Sequence, residues 1–292
     1  MQKPFFSIVV VSLNPGERLK KTLNSILEQT YTNYEVILKD GGSTDGSLSG
    51  LQETGFFENK NQIKIVEKND KSIYDGMNQA VTCVEGRYVQ FLNCGDYFYS
   101  DRVLEEVAEY IEKHRKERME SKAAGDFAIE VIEEQPAIYY GNQYNQQQDT
   151  IVYSAPQIND FTCYRNVPCH QVCFYDYRLF EKRAYDLKYK VRADYEHFLY
   201  SIYQEGAKGI SMPAVVASYE GGGFSETREN RKRSALEHKE ITAKYLGKTK
   251  AFKYRMIMWL TFAPLRTAMA ENPALSGIYN GIKNGIYKLL RK

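Results

Sequence analysis

The hydrophobic pattern of the first hundred residues alternates between two periods. Residues Phe5 to Ser12 form a continuous apolar run rich in β-branched side chains, which predicts a parallel strand buried on both faces. Apolar residues then recur at helical spacing. The preceding Asn14-Pro15 predicts an N-cap and a first-turn proline, with Glu17 placed to close a capping box. The apolar positions of this helix are Leu19, Leu23, Ile26 and Leu27.

This alternation of strand and helix continues as far as Asp96. The β-α-β-α order predicts an α/β fold with a mostly parallel central sheet, right-handed crossovers and flanking helices. Ligands of such sheets bind at the carboxyl ends of the strands, where the sequence places acidic turns at Asp40 and Asp96. The other elements predicted here are strands at Tyr34–Lys39, Ile63–Glu67 and Arg87–Leu92, a short helix through Leu48 and Leu51, and a helix from Ile73 to Val84.

The second half of the chain has a less regular pattern. Arg102 to Glu120 predicts a charged helix that faces solvent along most of its length, and residues 121–135 form a polar excursion. The glycines at 221–223 mark a loop or a domain boundary. The remaining predicted elements are a hairpin of Ile138–Tyr144 and Thr150–Ser154, helices at Tyr177–Ala184 and Asp194–Tyr203, and a last strand at Met212–Tyr219.

Charge is distributed unevenly in a chain of otherwise globular composition. The formal net charge is +2, but from Lys248 to the end there are nine Lys or Arg residues and one acidic residue, Glu271. A basic tail on an acidic body indicates an anionic partner for the tail, and argues against a nucleic-acid-binding protein. Five cysteines without a signal-peptide pattern favour free thiols in a reducing cytoplasm. No apolar stretch reaches the ~18 residues that span a bilayer.

Carboxylates on turns carry the candidate chemistry. The motifs of P-loop NTPases, dinucleotide-binding dehydrogenases, serine hydrolases and zinc proteases are absent, which argues against those classes. Asp96 follows a strand end and can hold a divalent cation against a diphosphate, whereas Asp40 stands beside two glycines that leave room for a planar base. Each turn alone is equally explained as a structural Asx-turn. Two such turns at one sheet edge favour a site.

Five segments in order carry a family resemblance. They are SIVVVSLNPGERLKKTLNSILEQTY, LKDGGSTDGS, NDKSIYDGMNQAV, GRYVQFLNCGDYF and VRADYEHFL. Over roughly residues 5–225 the chain resembles the family-2 glycosyltransferases of the GT-A fold, and most of all the branch that builds bacterial surface polysaccharides. The resemblance implies a GT-A domain over residues 1–225, with a nucleotide-sugar half at 1–100 and an acceptor half at 101–225. A basic amphipathic helical tail would follow at 226–292.

On the donor side, the resemblance implies that Asp40 contacts the nucleotide base with Ser12 nearby, and that Asp96 binds a divalent cation, Mg²⁺ or Mn²⁺. The family often has Asp-Ala-Asp-Asp at the second turn. Here Asn93 and Gly95 replace two of those carboxylates, which leaves the need for a metal open.

Three further residues complete the expected donor side. Lys71 and Asp75 match a segment that lies against the donor sugar and diphosphate, and Arg228 follows the glycine loop within reach of the phosphates. A solvated surface lysine and a salt-bridged surface arginine are the structural alternatives for Lys71 and Arg228.

Asp194 matches the family's general base, which takes the proton of the acceptor hydroxyl as its oxygen attacks the anomeric carbon. The alternatives are that Asp194 is a helix N-cap or that Glu196 is the base. His170 and Gln171 resemble a pair at the acceptor side of the cleft, although a lone histidine is as often a structural group.

The basic tail is also amphipathic. Lysines and arginines adjoin Trp259 and its apolar neighbours, and Ile278 to Leu290 carries an apolar stripe at helical spacing. This pattern suits an anionic membrane surface met through residues 248–292. The alternative is a helical pair that packs on the body or on the second subunit of a homodimer.

These expectations describe an inverting hexosyltransferase at the cytoplasmic face of the cell membrane. Its donor would be a nucleotide diphosphate sugar, a UDP-sugar first of all, and its acceptor a hydroxyl of a glycan or lipid-linked saccharide. One alternative is a sugar nucleotidyltransferase, against which the lack of a Gly-rich phosphate loop at Val10–Gly16 argues. The other is a non-catalytic nucleotide-sugar-binding subunit of a polysaccharide assembly complex.

Overall fold

The computed structural model of the chain describes residues 3–60, 62–123, 134–221 and 227–261. It divides into two compact units, Met1–Ile241 and Thr242–Lys292. The strands in the described residues are β1 (Phe6–Ser12), β2 (Tyr34–Asp40), β3 (Ile63–Glu67), β4 (Tyr88–Phe91), β5 (Tyr97–Phe98), β6 (Ala137–Asn145), β7 (Thr150–Val152), β8 (Cys173–Asp176) and β9 (Lys208–Tyr219). The helices are α1 (Arg18–Leu27), α2 (Ser47–Glu53), α3 (Ile73–Val81), α4 (Val103–Ala123), α5 (Asp160–Arg165), α6 (Arg178–Lys182), α7 (Ala193–Tyr203), α8 (Arg228–Leu246) and α9 (Lys248–Leu260), with a 3₁₀ turn at His170–Val172.

One mixed sheet organises the first unit and confirms the predicted α/β class. Its strand order is β3-β2-β1-β4-β8-β6-β9-β5, with β7 paired to β6. The predicted parallel part is β3-β2-β1-β4, and β6 also pairs with β9 in parallel. Antiparallel pairing joins β8 to β4 and to β6, and the predicted hairpin of β6 and β7 is confirmed.

The central strands end together at one edge of the sheet. Every residue of β1 and β2 is buried, as expected for apolar runs covered on both faces. Their register places Ser12 beside Asp40. On the other side of β1, the amide of Cys94 donates to the Val11 carbonyl at 3.5 Å, so the turn after β4 begins at the same edge. The two acidic turns therefore flank the end of β1.

The predicted N-cap at Asn14 is wrong. Helix α1 begins at Arg18, with Glu17 at the N-cap position and no side-chain cap bond. Asn14 instead adopts a left-handed φ of 48°, a conformation that Asn tolerates better than most residues. Its side-chain oxygen accepts from the Thr44 amide at 2.8 Å. Asn14 thus bridges the end of β1 to the turn after β2, since its own amide also donates to the Ser43 hydroxyl at 2.8 Å.

Other features concern burial and short elements. The first turns of α4 bury five apolar residues, whereas its other residues of described burial are exposed or half-buried, as predicted for a helix that faces solvent along most of its length. The buried residues are Val103, Leu104, Val107, Ala108 and Ile111. Strands β5 and β8 and helix α5 were not predicted, because elements of two to six residues carry too few apolar repeats. Strand β9 begins at Lys208, earlier than predicted.

The tail is described only in part. Helix α9 has no buried residue, and its exposed large apolar side chains include Phe252, Trp259 and Leu260. The apolar stripe from Ile278 to Leu290 lies outside the described residues. Within the described ranges, no helix combines the length and the apolarity needed to cross a bilayer.

Candidate functional site

The Asp40 carboxylate is saturated by its own turn and by the neighbouring strand. Oδ1 accepts from the amides of Gly42 (2.9 Å) and Ser43 (2.7 Å). Oδ2 accepts from the hydroxyls of Ser43 (2.6 Å) and Ser12 (3.0 Å). Burial alone would raise the pKa of Asp40, but these hydrogen bonds together lower it below its usual value. The turn therefore has the Asx geometry of the structural alternative, and it also orients two serine hydroxyls at the sheet edge.

A buried ion pair lies directly behind this turn. Lys39 Nζ is 2.9 Å from Asp70 Oδ2, with side-chain exposures of 0% and 8%. The same ammonium donates to the backbone carbonyls of Asp40 (2.8 Å) and Lys68 (2.5 Å), so all three of its protons have acceptors. A Cβ at Gly41 would lie 2.7 Å from Asp70 Oδ2, so only glycine leaves room for this carboxylate. The pair ties the end of β2 to the loop before α3.

Asp96 lies at the second acidic turn and is only 7% exposed. Its Oδ2 accepts from Gln171 Nε2 at 2.9 Å, and its Oδ1 from the Glu220 amide at 3.4 Å. Burial raises the pKa of Asp96, and the Gln171 hydrogen bond and nearby His170 offset only part of that rise. Folding therefore disfavours the ionised form of Asp96, whereas it favours the ionised form of Asp40.

A chain of hydrogen bonds joins the turn after β4 to helix α7. Asn93 Nδ2 lies 2.9 Å from His170 Nε2, and His170 Nδ1 lies 3.1 Å from Asp194 Oδ2. Because an ionised carboxylate can only accept, the Nδ1 atom of His170 carries a proton. His170 therefore donates to Asp194. The structure brings together three of the predicted site residues from three segments of the chain.

The other oxygen of Asp194 is held from two directions. Oδ1 accepts from the Tyr74 hydroxyl and from the Tyr195 amide, both at 2.8 Å. Burial alone would raise the pKa of Asp194, but the hydrogen bond and charge of His170, with Tyr74 and Tyr195, lower it. The side chain remains 24% exposed. Asp194 is thus an ionised carboxylate with access to solvent, which is what a general base requires.

The two alternatives for Asp194 receive no support from these contacts. The N-cap of α7 is Arg192, and Asp194 is the second helical residue. Glu196 is fully buried and forms a two-pronged ion pair with Arg183, at 3.1 and 2.5 Å. A carboxylate neutralised in this way in the interior is a structural group without access to an acceptor.

The remaining donor-side residues lie at two helix starts. Asp75 accepts from the Lys71 amide at 2.8 Å, and the Ser72 hydroxyl accepts from the Asp75 amide, so the Asp75 carboxylate helps to cap α3. The Lys71 side chain is exposed. Arg228 is the first residue of α8 and is also exposed. Neither Lys71 nor Arg228 belongs to the hydrogen-bond network around Asp194.

The oxygen atoms at the second turn suit a hard cation. Among the described residues, no group of three or more His, Cys, Asp or Glu side chains could hold a metal by itself. The turn offers the Asp96 carboxylate and the buried Oδ1 of Asn93, which has no hydrogen-bond partner in the described part of the chain. Magnesium typically uses one or two carboxylates and completes its shell with water and substrate phosphates. The residues therefore fit a cation that arrives with a diphosphate.

Sequence reasoning missed Tyr74 and Lys39. Tyr74 lies in the quoted segment NDKSIYDGMNQAV, but its partner is 120 positions away, so no local signal identifies the contact. Lys39 did leave a signal, since a lysine at the end of a strand buried on both faces requires a buried partner.

The comparisons with known proteins agree with this architecture. The family model described as Glycosyl transferase family 2 matches residues 7–156. A PGL/p-HBAD biosynthesis glycosyltransferase of Mycobacterium bovis is 32% identical over 230 residues, which cover 78% of this chain and 81% of that protein.

Two solved structures share the fold, which is that of the GT-A glycosyltransferases. Residues 1–349 of S. aureus TarS in complex with UDP-GlcNAc align with a TM-score of 0.60 and 17% identity, over 82% of this chain and 71% of that one. The chain spans 42% of the longer TarS chain. The mannosyltransferase PcManGT from Pyrobaculum calidifontis, in complex with GDP-Man and Mn²⁺, aligns with a TM-score of 0.57 and 13% identity, over 96% of this chain and 84% of that one.

Proposed function

The chain belongs to glycosyl transferase family 2 and is a glycosyltransferase, and on this premise we propose the reaction it performs. It transfers a hexose from a nucleoside diphosphate sugar, a UDP-sugar in the first instance, to a hydroxyl of a glycan or lipid-linked saccharide. The configuration at the anomeric carbon is inverted. The observation that carries this proposal is the Asp194 carboxylate, which is held ionised and accessible beside the donor edge of the sheet.

The proposed mechanism is a single displacement. The acceptor hydroxyl gives its proton to Asp194 while its oxygen attacks the anomeric carbon, and the bond from that carbon to the diphosphate breaks. Inversion needs one carboxylate base on the acceptor side, and the burial and ion pair of Glu196 favour Asp194 for that role. His170 orients the base, and Gln171 donates a hydrogen bond to Asp96.

The proposed donor site uses the edge formed by β1, β2 and β4. Asp40 and Ser12 stand where the base would bind, with the exposed Lys71 and Arg228 as cations for the phosphates and Asp75 at the start of α3. Asp96, with Asn93, would hold a Mg²⁺ or Mn²⁺ ion, which would neutralise charge on the departing diphosphate. The UDP-GlcNAc complex of TarS and the Mn²⁺ complex of PcManGT support this choice of ligands.

The setting we propose is the assembly of a cell-surface glycan at the cytoplasmic face of the membrane. The name of the mycobacterial relative and the exposed Phe252 and Trp259 on basic helix α9 support it. Sedimentation with anionic vesicles should be lost when residues 248–292 are removed. Equal binding by the truncated chain would exclude the tail as the membrane contact.

A donor panel tests the activity. Purified protein is incubated with UDP-, GDP- and TDP-sugars, with and without Mn²⁺, and release of the nucleoside diphosphate is measured. We expect one donor to be hydrolysed slowly without acceptor, and Asp194→Asn to lower turnover by about 10²- to 10⁴-fold, the usual contribution of a general base. Exposed Asp101→Asn is the matched control. Unchanged turnover in Asp194→Asn would remove Asp194 from the mechanism, and pyrophosphate release from an NTP and a sugar phosphate would indicate a nucleotidyltransferase.

A further inference from the structure

The two oxygens of the Asp194 carboxylate are not equivalent. Oδ1 accepts two hydrogen bonds, from Tyr74 and from Tyr195, which fill its lone-pair positions. Oδ2 accepts one hydrogen bond in the described structure, from His170. Since the side chain is partly exposed, Oδ2 is the oxygen with a lone pair left for an incoming proton.

The Tyr74 hydroxyl has one proton and two acceptors. It lies 2.8 Å from Asp194 Oδ1 and 2.9 Å from the carbonyl oxygen of Val191. An ionised carboxylate is the stronger acceptor, so the proton points to Asp194 while the base is charged. Once Asp194 is neutral, its hydrogen bond with the Tyr74 hydroxyl weakens, and that hydroxyl is already within hydrogen-bond distance of the Val191 carbonyl. The hydroxyl therefore has a partner in both protonation states.

The position of Tyr74 is fixed by packing. Its ring is buried beside that of Tyr185, with ring centroids 5.4 Å apart. It belongs to α3, the helix whose first turn also carries Asp75. A rigid ring on the donor-side helix thus reaches the base that lies 120 residues later.

We propose that Tyr74 is a positioning residue of the transfer reaction: it holds Asp194 Oδ1 from helix α3 and leaves Oδ2 as the atom that receives the acceptor proton. The inference rests on the proposed function, in which Asp194 is the base. The acceptor O–H bond breaks as the Oδ2–H bond forms, and the new glycosidic C–O bond forms as the C–O bond to the diphosphate breaks. The electron pair of that bond leaves with the diphosphate, and the Tyr74 hydroxyl turns to Val191.

Other titratable groups surround Asp194 and bear on any pH profile. Burial raises the pKa of each tyrosine and cysteine among them, so these groups are neutral near neutral pH. His170 is kept in every variant compared below. The surrounding groups are Tyr74, Tyr175, Tyr185, Cys169, Cys173 and His170.

The test compares Tyr74→Phe with Tyr185→Phe. The two variants remove a hydroxyl from adjoining rings, but in the described residues the Tyr185 hydroxyl has no hydrogen-bond partner. For Tyr74→Phe we expect kcat to fall roughly 10-fold with the donor KM unchanged, because one hydrogen bond to a charged group is lost. The acidic limb of the kcat/KM profile should move to higher pH. Tyr185→Phe should match the wild type.

A measurement without substrates separates this inference from the function it rests on. The pKa of the Asp194 carboxyl is measured by ¹³C NMR in both variants and should rise only in Tyr74→Phe. Equal pKa values in the two variants, or a Tyr74→Phe protein that fails to fold while Tyr185→Phe folds, would overturn the positioning role. A wild type that acts on no activated sugar would refute the proposed function, whereas the NMR titration would still decide the contact.

Discussion

Around Asp40 nearly every hydrogen-bond partner comes from the same turn, whereas the side chains that hold Asp194 come from distant segments of the chain. Asp40 is held by Gly42 and Ser43, with Ser12 from the adjacent strand. Asp194 is held by Tyr74 and by His170. Both arrangements lower the pKa of their carboxylate.

The two carboxylates therefore depend on the fold in different ways. A carboxylate that closes its own Asx-turn keeps most of its bonds wherever that turn forms. A carboxylate held by distant residues has its geometry only after both halves of the sheet have assembled. The donor turn is therefore the more local structure, and the base is the more sensitive to changes elsewhere.

The largest expected effect tests whether the donor turn is as local as its hydrogen bonds suggest. Lys39→Met leaves Asp70 buried without its cation, and we expect the free energy of unfolding to fall by about 3–5 kcal/mol. Lys116→Met is the matched control, because Lys116 is 78% exposed and pairs with Glu120, which is 66% exposed, and such surface pairs contribute about 0–1 kcal/mol. Urea unfolding measures both. Equal free energies of unfolding for the two variants would show that the donor turn does not depend on the buried Lys39–Asp70 ion pair.

A smaller effect distinguishes the two acidic turns by the sign of their pH dependence. The pKa of Asp40 is lowered by folding, so its ionised form stabilises the fold at neutral pH, and this contribution is lost as pH falls through the folded-state pKa. We expect Asp40→Asn to lower stability by about 1 kcal/mol near neutral pH, since hydrogen bonds to a charged group are weakened. The difference in the free energy of unfolding between Asp40→Asn and the wild type should disappear in acid.

For Asp96 the sign is reversed. Folding raises its pKa, so the ionised form opposes folding at neutral pH and that penalty disappears on acidification. Asp96→Asn should therefore unfold at a higher temperature than the wild type near neutral pH while losing turnover, with the gap again closing in acid. Thermal unfolding across pH measures both variants. A lower unfolding temperature for Asp96→Asn than for the wild type would contradict the claim that the ionised Asp96 carboxylate opposes folding.

The smallest expected effect concerns Asn14, which bridges the loop before α1 to the donor turn. Asn14→Ala removes the acceptor for the Thr44 amide and places Ala at a positive φ, so we expect a loss of about 0.5–1.5 kcal/mol. Asn14→Gly should lose less, because glycine accepts that φ. Hydrogen exchange should accelerate at Thr44. Faster hydrogen exchange in the first turn of α1 instead of at Thr44 would indicate that Asn14 caps that helix.

Much of the fold was predictable because it is encoded in local periodicity. The apolar runs of β1 and β2 specify buried strands, and the order of strands and helices specifies a parallel sheet with its acidic turns at one edge. Elements of a few residues, such as β5 and β8, were missed because two to four positions define no period.

The candidate site divides along the same line. The amino-acid pattern alone specifies which carboxylates stand on turns at the sheet edge, since turn residues and strand ends are local features. The folded arrangement is needed to see that Arg183 neutralises Glu196 while Asp194 remains accessible, and that Tyr74 is a hydrogen-bond partner of Asp194. Burial and hydrogen bonding between residues far apart in sequence depend on how the halves of the sheet pack, and no periodicity in the chain records that packing.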